Sequence, residues 1–269
     1  MILKKKIYSA PALEKGLDIL EVLSVEIYGL TQVEISSKLK RSINEIYRMI
    51  NTLVKRNYIE LDKSTDKYKI TYKLLEISFH EQPIKKLVQK STPVMREIAQ
   101  LTNQSVHMSI YSAGKLLVVN QVDSPSTFNY AIAVGSTFDL LETSSGRVLL
   151  AFQNKLERKR RLDRRKLFIK LEKNYHLNLN QLKVIEKKFS TKTIHEIIKK
   201  GYEVVESLQI SGITNISMPV FDYTGNAIAA ITIPYASRIN AKGDLSIKQS
   251  TKLFFDYTKG LSRSFGYKY

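Results

Sequence analysis

Residues 31–56, TQVEISSKLKRSINEIYRMINTLVKR, constrain the fold more tightly than any other stretch of the chain. Thr31-Gln32-Val33-Glu34 has the S/T-x-x-E pattern, in which an N-cap hydroxyl takes the N3 amide and the N3 carboxylate reaches back to the N-cap amide. Ser42-Ile43-Asn44-Glu45 repeats it eleven residues later. Between the two helices that these signals open, Leu39-Lys40-Arg41 leaves room only for a turn. Helices joined this tightly must cross steeply, which is the helix-turn-helix geometry whose second helix enters the DNA major groove.

Hydrophobic spacing assigns the faces. In the first helix of the pair Val33, Ile35 and Leu39 are expected inside; in the second, Ile46, Met49, Ile50 and Leu53, with Ile43 a turn earlier. Asn44, Glu45, Tyr47 and Arg48 then lie on the opposite face, and Asn and Arg are the side chains that bond adenine and guanine edges bidentately. Thr31, Gln32, Arg41 and Ser42, at the two helix starts, complete the candidate DNA-contacting set on these helices. Upstream, Ser9-Ala10-Pro11 reads as a helix entry, followed by an apolar stripe of Leu13, Gly16, Leu17, Leu20 and Leu23 that Ile19 and Val22 widen. Downstream, residues 58–61 and 67–70 alternate around the polar cluster 62–66, a hairpin placed as a wing, from which Lys63 and Lys67, with Lys69, can reach phosphate. A helix over 71–79 and the break at His80-Glu81-Gln82-Pro83 put the domain boundary between a DNA-binding domain, 1–80, and a second domain, 81–269.

The second domain opens with a helix over 84–102 whose apolar side carries Leu87, Val88, Val94, Met95, Ile98 and Leu101, kinked or split at Pro93. Strands are expected at 105–111 and 115–122 around Ser112-Ala113-Gly114, and at 128–134, 202–207, 213–221 and 227–234. Residues 135–142 read as a loop; helices follow at 143–154, 191–200 (closed by Gly201) and 247–265. Antiparallel strands with segregated helices make the class α+β. Residues 155–173 hold ten basic and three acidic side chains. Either this is a second nucleic-acid contact, or it is a solvated helical face with Leu156, Leu162, Leu167 and Leu171 turned inward; the second reading is preferred.

Composition excludes several classes. With no cysteine there are no disulfides and no thiolate chemistry. The four histidines, His80, His107, His176 and His195, form no H-E-x-x-H, and neither G-x-S-x-G nor a phosphate-binding glycine loop occurs, so neither catalysis nor a metal or other cofactor is expected. No run approaches the ~18 apolar residues of a membrane span, and the basic start lacks an apolar segment behind it. A soluble, cytoplasmic protein is expected. The formal charge of +18 suggests a polyanionic partner, yet residues 1–80 hold 14 basic against 10 acidic side chains, net +4, and residues 81–269 hold 29 against 15, net +14. Charge is therefore not the argument for DNA binding. The rival to a sequence-specific regulator is a non-specific nucleic-acid binder using the basic region 155–200.

Five motifs in order resemble the IclR family of bacterial transcription regulators, over essentially the whole chain. PALEKGLDIL at 11–20 is similar to the family's P-A-L-x-R-A-L-x-I-L, IYRMINTL at 46–53 to its V-x-R-L-L-x-T-L, and Tyr68-Lys69-Ile70 to its wing. TSSGRVLLA at 143–151 is similar to T-A-x-G-K-A-L-L-A, and the stretch from Gly212 through Pro219-Val220-Phe221-Asp222 to G-L-R-C-x-A-x-P-V-F-D. The resemblance implies a winged helix-turn-helix, a linker helix and a GAF-like effector-binding domain. It also implies homodimers or homotetramers, double-stranded DNA in the form of a pseudo-palindromic operator, and a small effector, an organic acid or aromatic. The effector carboxylate is expected at the helix start of Ser144, Ser145 and Gly146, where amides and the dipole favour an anion. The family's pocket cysteine falls at Asn215, its two strand serines at Thr232 and Pro234, and its acidic position at Val205, beside Glu206. Lys40-Arg41-Ser42 replaces the usual G-L-P in the turn. These departures put the family's small 2-oxo-acid effectors in doubt and imply a different operator preference.

Overall fold

The computed structural model describes residues 10–79, 82–127, 129–172, 175–238 and 243–268, and the chain divides into two compact units between Gln82 and Pro83.

The first unit runs α1 (Pro11–Ser24), α2 (Gln32–Leu39), α3 (Ile43–Lys55), β1 (Ile59–Asp62), β2 (Lys67–Ile70) and α4 (Lys73–Phe79). Pro11 starts α1 behind Ala10, which offers no side-chain cap, and Ser9 lies outside the described residues. One small core gathers Ile19, Leu20 and Leu23 of α1 with Ile35, Ile46, Ile50 and Ile59. The buried residues of α1 all belong to its second half, so Leu13 and Leu17 of the same apolar stripe are 63% and 49% exposed. Val33 is likewise outside at 63%, because α2 meets the core through Ile35, with Leu39 packed against it as expected, and Ile43 is 41% exposed. β1 and β2 pair antiparallel from Ile59↔Ile70 to Asp62↔Lys67, and Leu30 adds a bridge to Tyr68.

Between α2 and α3 the chain turns on Lys40, at φ 51°. The Lys40 amide donates to the Ser37 carbonyl and the Arg41 amide to the Ser36 carbonyl, both at 3.1 Å. This is a Schellman closure with lysine in the left-handed position that glycine ordinarily takes.

The second unit runs α5 (Gln82–Thr102), β3 (Val106–Ser112), β4 (Lys115–Val122), β5 (Thr137–Asp139), α6 (Ser144–Ala151), α7 (Lys155–Leu171), α8 (Leu179–Lys188), α9 (Thr191–Lys200), β6 (Glu203–Glu206), β7 (Ile213–Phe221), β8 (Ala227–Ala236) and α10 (Ile247–Ser264). The strands form one antiparallel sheet in the order β5-β4-β3-β8-β7-β6. Strand alternation separates two cores. Val106, Met108, Ile216, Met218, Ile231 and Ile233 meet α5 and α10 on one face. On the other, Leu116, Phe221 and Ala230 join Val148, Leu149 and Leu150 of α6, Ile185 of α8 and Ile197 of α9.

Five expectations are corrected. α5 passes through Pro93 unbroken; the Thr92 hydroxyl donates to the Val88 carbonyl at 2.7 Å in that turn, and Leu101 is 48% exposed. Residues 129–134 are not a strand: the Tyr130 carbonyl accepts from the Ser105 hydroxyl, so side chains rather than a ladder hold this segment. The edge strand beside β4 is instead β5, inside the expected loop, paired at Lys115↔Asp139. α8, capped by Asn178, occupies a stretch where no helix was expected. In α7 the leucines face out, Leu156 at 79%, Leu167 at 43% and Leu171 at 65% exposed, with only Leu162 packed on the core. Arginines take their place. Arg165 is 1% exposed and bridges Asp139 (2.6 Å) and Glu186 (2.9 Å), while Arg158 bonds the carbonyls of Leu150, Ala151 and Gln153 at the end of α6. Among the described residues no helix is long and apolar enough to cross a membrane, and no group of three or more His, Asp and Glu side chains could hold a metal ion.

Candidate functional site

In the first unit the outer face of α3 is built by its two ends and its buried stripe. With Ile46 and Ile50 inside, Asn44, Tyr47 and Arg48 project on the exposed side, Tyr47 at 54%. Glu45 shares that side but is engaged. It accepts from the Ser42 amide at 3.0 Å and hydroxyl at 3.1 Å and pairs with Lys15 of α1 at 3.1 Å. Those bonds pull its carboxyl down to about 2, the Ser42 amide contributing most. The Ser42 hydroxyl also donates to the Glu45 carboxylate, and the Ser42–Glu45 and Thr31–Glu34 pairs both form the expected capping boxes. Arg41 is drawn to Asp18 of α1 at 2.9 Å. Gln32 keeps its side-chain Nε2 buried with no partner among the described residues. Lys63 is exposed in the β1–β2 turn, and Lys67 is half-buried at the start of β2.

In the second unit the start of α6 meets the sheet face. Gly146 sits so close to the preceding turn that a Cβ there would lie 2.1 Å from the Leu140 carbonyl oxygen, and its amide donates to the Thr143 hydroxyl. Its role is this close approach. The amides of Ser144 and Ser145 are left without an intrahelical acceptor. Their hydroxyls join a buried chain: Ser144 to Ser217 at 2.6 Å, Ser217 to Thr232 at 2.7 Å and Thr232 to Ser145 at 2.7 Å, all four residues at most 2% exposed. Ser217 is absent from the expected set, though its spacing of two from Asn215 places both on one face.

Register lays out that face. Glu203, Ser217, Thr232, His107 and Gln121 form one row across β6, β7, β8, β3 and β4. Val205, Asn215 and Pro234 form the neighbouring row. Val205 and Asn215 are half-buried, Pro234 is buried, and none of the three joins the hydroxyl chain. Glu206 pairs opposite Thr214 and is exposed, so the register leaves valine, not glutamate, beside Asn215. The acid on this face is Glu203, held by Arg147 at 3.0 Å. Burial nonetheless keeps the Glu203 carboxyl above its ordinary range. A cleft of about 330 Å³ opens beside Val205, lined also by Arg147, Lys188, Glu196, Lys200 and Glu203.

A winged helix-turn-helix followed by an α+β unit with a buried polar site at a helix start defines a class: a DNA-binding regulator with a ligand-sensing domain. The chain belongs to the IclR family of bacterial transcriptional regulators, whose helix-turn-helix domain model matches residues 12–63 and whose C-terminal domain model matches residues 83–252. It is 25% identical over 234 residues to the HTH-type transcriptional regulator KdgR of Escherichia coli, covering 87% of this chain and 85% of that protein. It is 24% identical over 250 residues to BhcR of Paracoccus denitrificans, covering 91% and 86%. In fold it resembles an IclR homologue from Microbacterium hydrocarbonoxydans crystallised with 4-hydroxybenzoate (TM-score 0.73, 15% identity, 95% and 99% of the two chains). It also resembles the IclR of Thermotoga maritima (TM-score 0.65, 21% identity, 95% and 98%).

Proposed function

We propose that this regulator reads a pseudo-palindromic operator with Asn44, Tyr47 and Arg48 of α3, steadied on phosphate by Lys63 and Lys67, and that a small carboxylate at the start of α6 modulates the binding. The observation that carries the DNA reading is the exposed, uncommitted outer face of α3 beside a core of Ile46 and Ile50. Glu45 and Arg41 are instead committed to α1, through Lys15 and Asp18. Exposed Leu13 and Leu17 on α1 favour a homodimer or homotetramer, since a two-fold operator needs two copies of α3. For the effector, the α6 dipole and the amides of Ser144 and Ser145 offer an anion site, and Ser217 and Thr232 exchange their hydroxyl partners for its oxygens. The 4-hydroxybenzoate of the Microbacterium homologue is a carboxylate of that class.

A gel-shift on DNA upstream of the protein's own coding region, with a scrambled duplex as competitor, tests the reading. Retention of the complex against scrambled DNA is expected; equal competition overturns it in favour of non-specific binding by the basic region 155–200. Ser145→Trp fills the start of α6, and it should abolish the effect of a carboxylate on that complex.

A further inference from the structure

Two polar atoms on the sheet face are unaccounted for. His107 is 5% exposed and Ser109 is fully buried, yet His107 Nδ1 and Ser109 Oγ have no hydrogen-bond partner among the described residues. An orphaned buried polar group is costly, so such groups are expected to have a partner that the protein itself does not supply. Their place in the sheet is specific. His107 stands opposite Thr232, and Ser109 opposite Ala230, on the same face as the chain of Ser144, Ser217, Thr232 and Ser145. Directly opposed residues of an antiparallel pair have Cβ atoms about 5 Å apart. The orphaned imidazole is therefore one strand beyond the last hydroxyl of the anion site.

We propose that His107 and Ser109 form a second polar subsite of the effector pocket, taking a hydroxyl or carbonyl oxygen about four bonds from the carboxylate held at Ser144 and Ser145. This rests on the effector reading above and adds to it the chemistry of the ligand's far end. Burial pushes the His107 imidazole down to about 4, so at neutral pH it is an uncharged donor and acceptor. Such a group suits a neutral oxygen rather than a second carboxylate. A site built to bond an oxygen discriminates strongly against the analogue lacking it, because the protein's own polar atoms are then stranded. The pocket thus selects oxygen-bearing acids over purely hydrocarbon ones of the same length.

4-Hydroxybutanoate and pentanoate differ only in having a hydroxyl or a methyl at the far end, and titrating both calorimetrically into the full-length protein tests the subsite. Wild type is expected to bind the hydroxy acid roughly tenfold or more tightly. Ser109→Ala and His107→Phe should narrow that ratio towards one, and His107→Gln, which keeps donor and acceptor, should preserve most of it. Because His107→Phe risks misfolding, Ser109→Ala, a loss of one buried oxygen, must show the change by itself. Equal binding of the two acids by wild type, with both lost in Ser145→Trp, overturns the subsite and leaves the carboxylate site standing. Binding of neither acid, or binding unaffected by Ser145→Trp, overturns both. A ratio unchanged in Ser109→Ala and His107→Phe shows that a buried water satisfies these atoms, and overturns the subsite.

Discussion

At the residue scale, two side chains hold conformations or charge states that their surroundings impose. Lys40 has φ 51° where the family's turn motif carries glycine. The left-handed conformation costs a non-glycine residue about 1–2 kcal/mol, and glycine returns about 0.4–1 kcal/mol of that through unfolded-state entropy. Lys40→Gly should therefore raise the stability of the first unit by roughly 0.5–1 kcal/mol, read as a rise of several degrees in its melting temperature; a fall would mean that the lysine side chain makes compensating contacts. His107 behaves differently with pH. Its folded pKa, about 4, lies below the ordinary 6.5, so the unfolded chain takes up the proton first as pH falls. The stabilisation is complete above pH 6.5 and is lost between 6.5 and 4, by roughly 3 kcal/mol. Urea midpoints measured from pH 7.5 to 4.5 should fall over that window in wild type and stay flatter in His107→Gln.

At the element scale, α7 shows where apolar periodicity misleads. The spacing of Leu156, Leu162, Leu167 and Leu171 predicts an inward stripe, yet the helix packs largely through Arg158, Arg161 and Arg165, whose charges meet carbonyls and carboxylates. Arg161 has its partner, Glu157, within the helix, but nothing local to the helix announces the partners of Arg158 and Arg165. Asp139 lies 26 residues before Arg165 and is itself spent capping the amides of Leu141 and Glu142, just ahead of α6. The elements that sequence did reveal are those with self-contained signals: α2 through the Thr31 box, the wing through its alternation, α9 through Gly201. Three of the four members of the hydroxyl chain are legible in the sequence, Ser144 and Ser145 from a helix-start motif and Thr232 from the family resemblance, while Ser217 joins only through sheet register. The consequence for stability is a reversal of the usual hydrophobic rule. Arg165→Met strands the buried Asp139 carboxylate and should cost roughly 3–5 kcal/mol in urea unfolding. Leu171→Lys, at an exposed site, should stay within about 0.5 kcal/mol of wild type.

At the scale of the whole molecule, the placement of charge and the placement of DNA-reading side chains disagree, and the disagreement is testable. The second unit carries most of the net +18, and α7 alone turns Lys155, Lys159, Arg160, Arg164, Lys166 and Lys170 outward. If binding followed charge, these residues would set both affinity and salt dependence, because each phosphate contact releases counterions and steepens the slope of log K against log salt by about 0.9. The α3 reading places the contacts elsewhere. Arg48→Ala is then expected to cost on the order of 1–3 kcal/mol of operator binding if it reads a base, or to flatten the salt slope by about one if it holds a phosphate. Replacing Lys159, Arg160 and Arg164 together by glutamine should leave the operator footprint and the slope as they were. A slope reduced by two or three in that triple variant, with Arg48→Ala silent, would transfer DNA contact from α3 to α7 and make the helix-turn-helix a packing device.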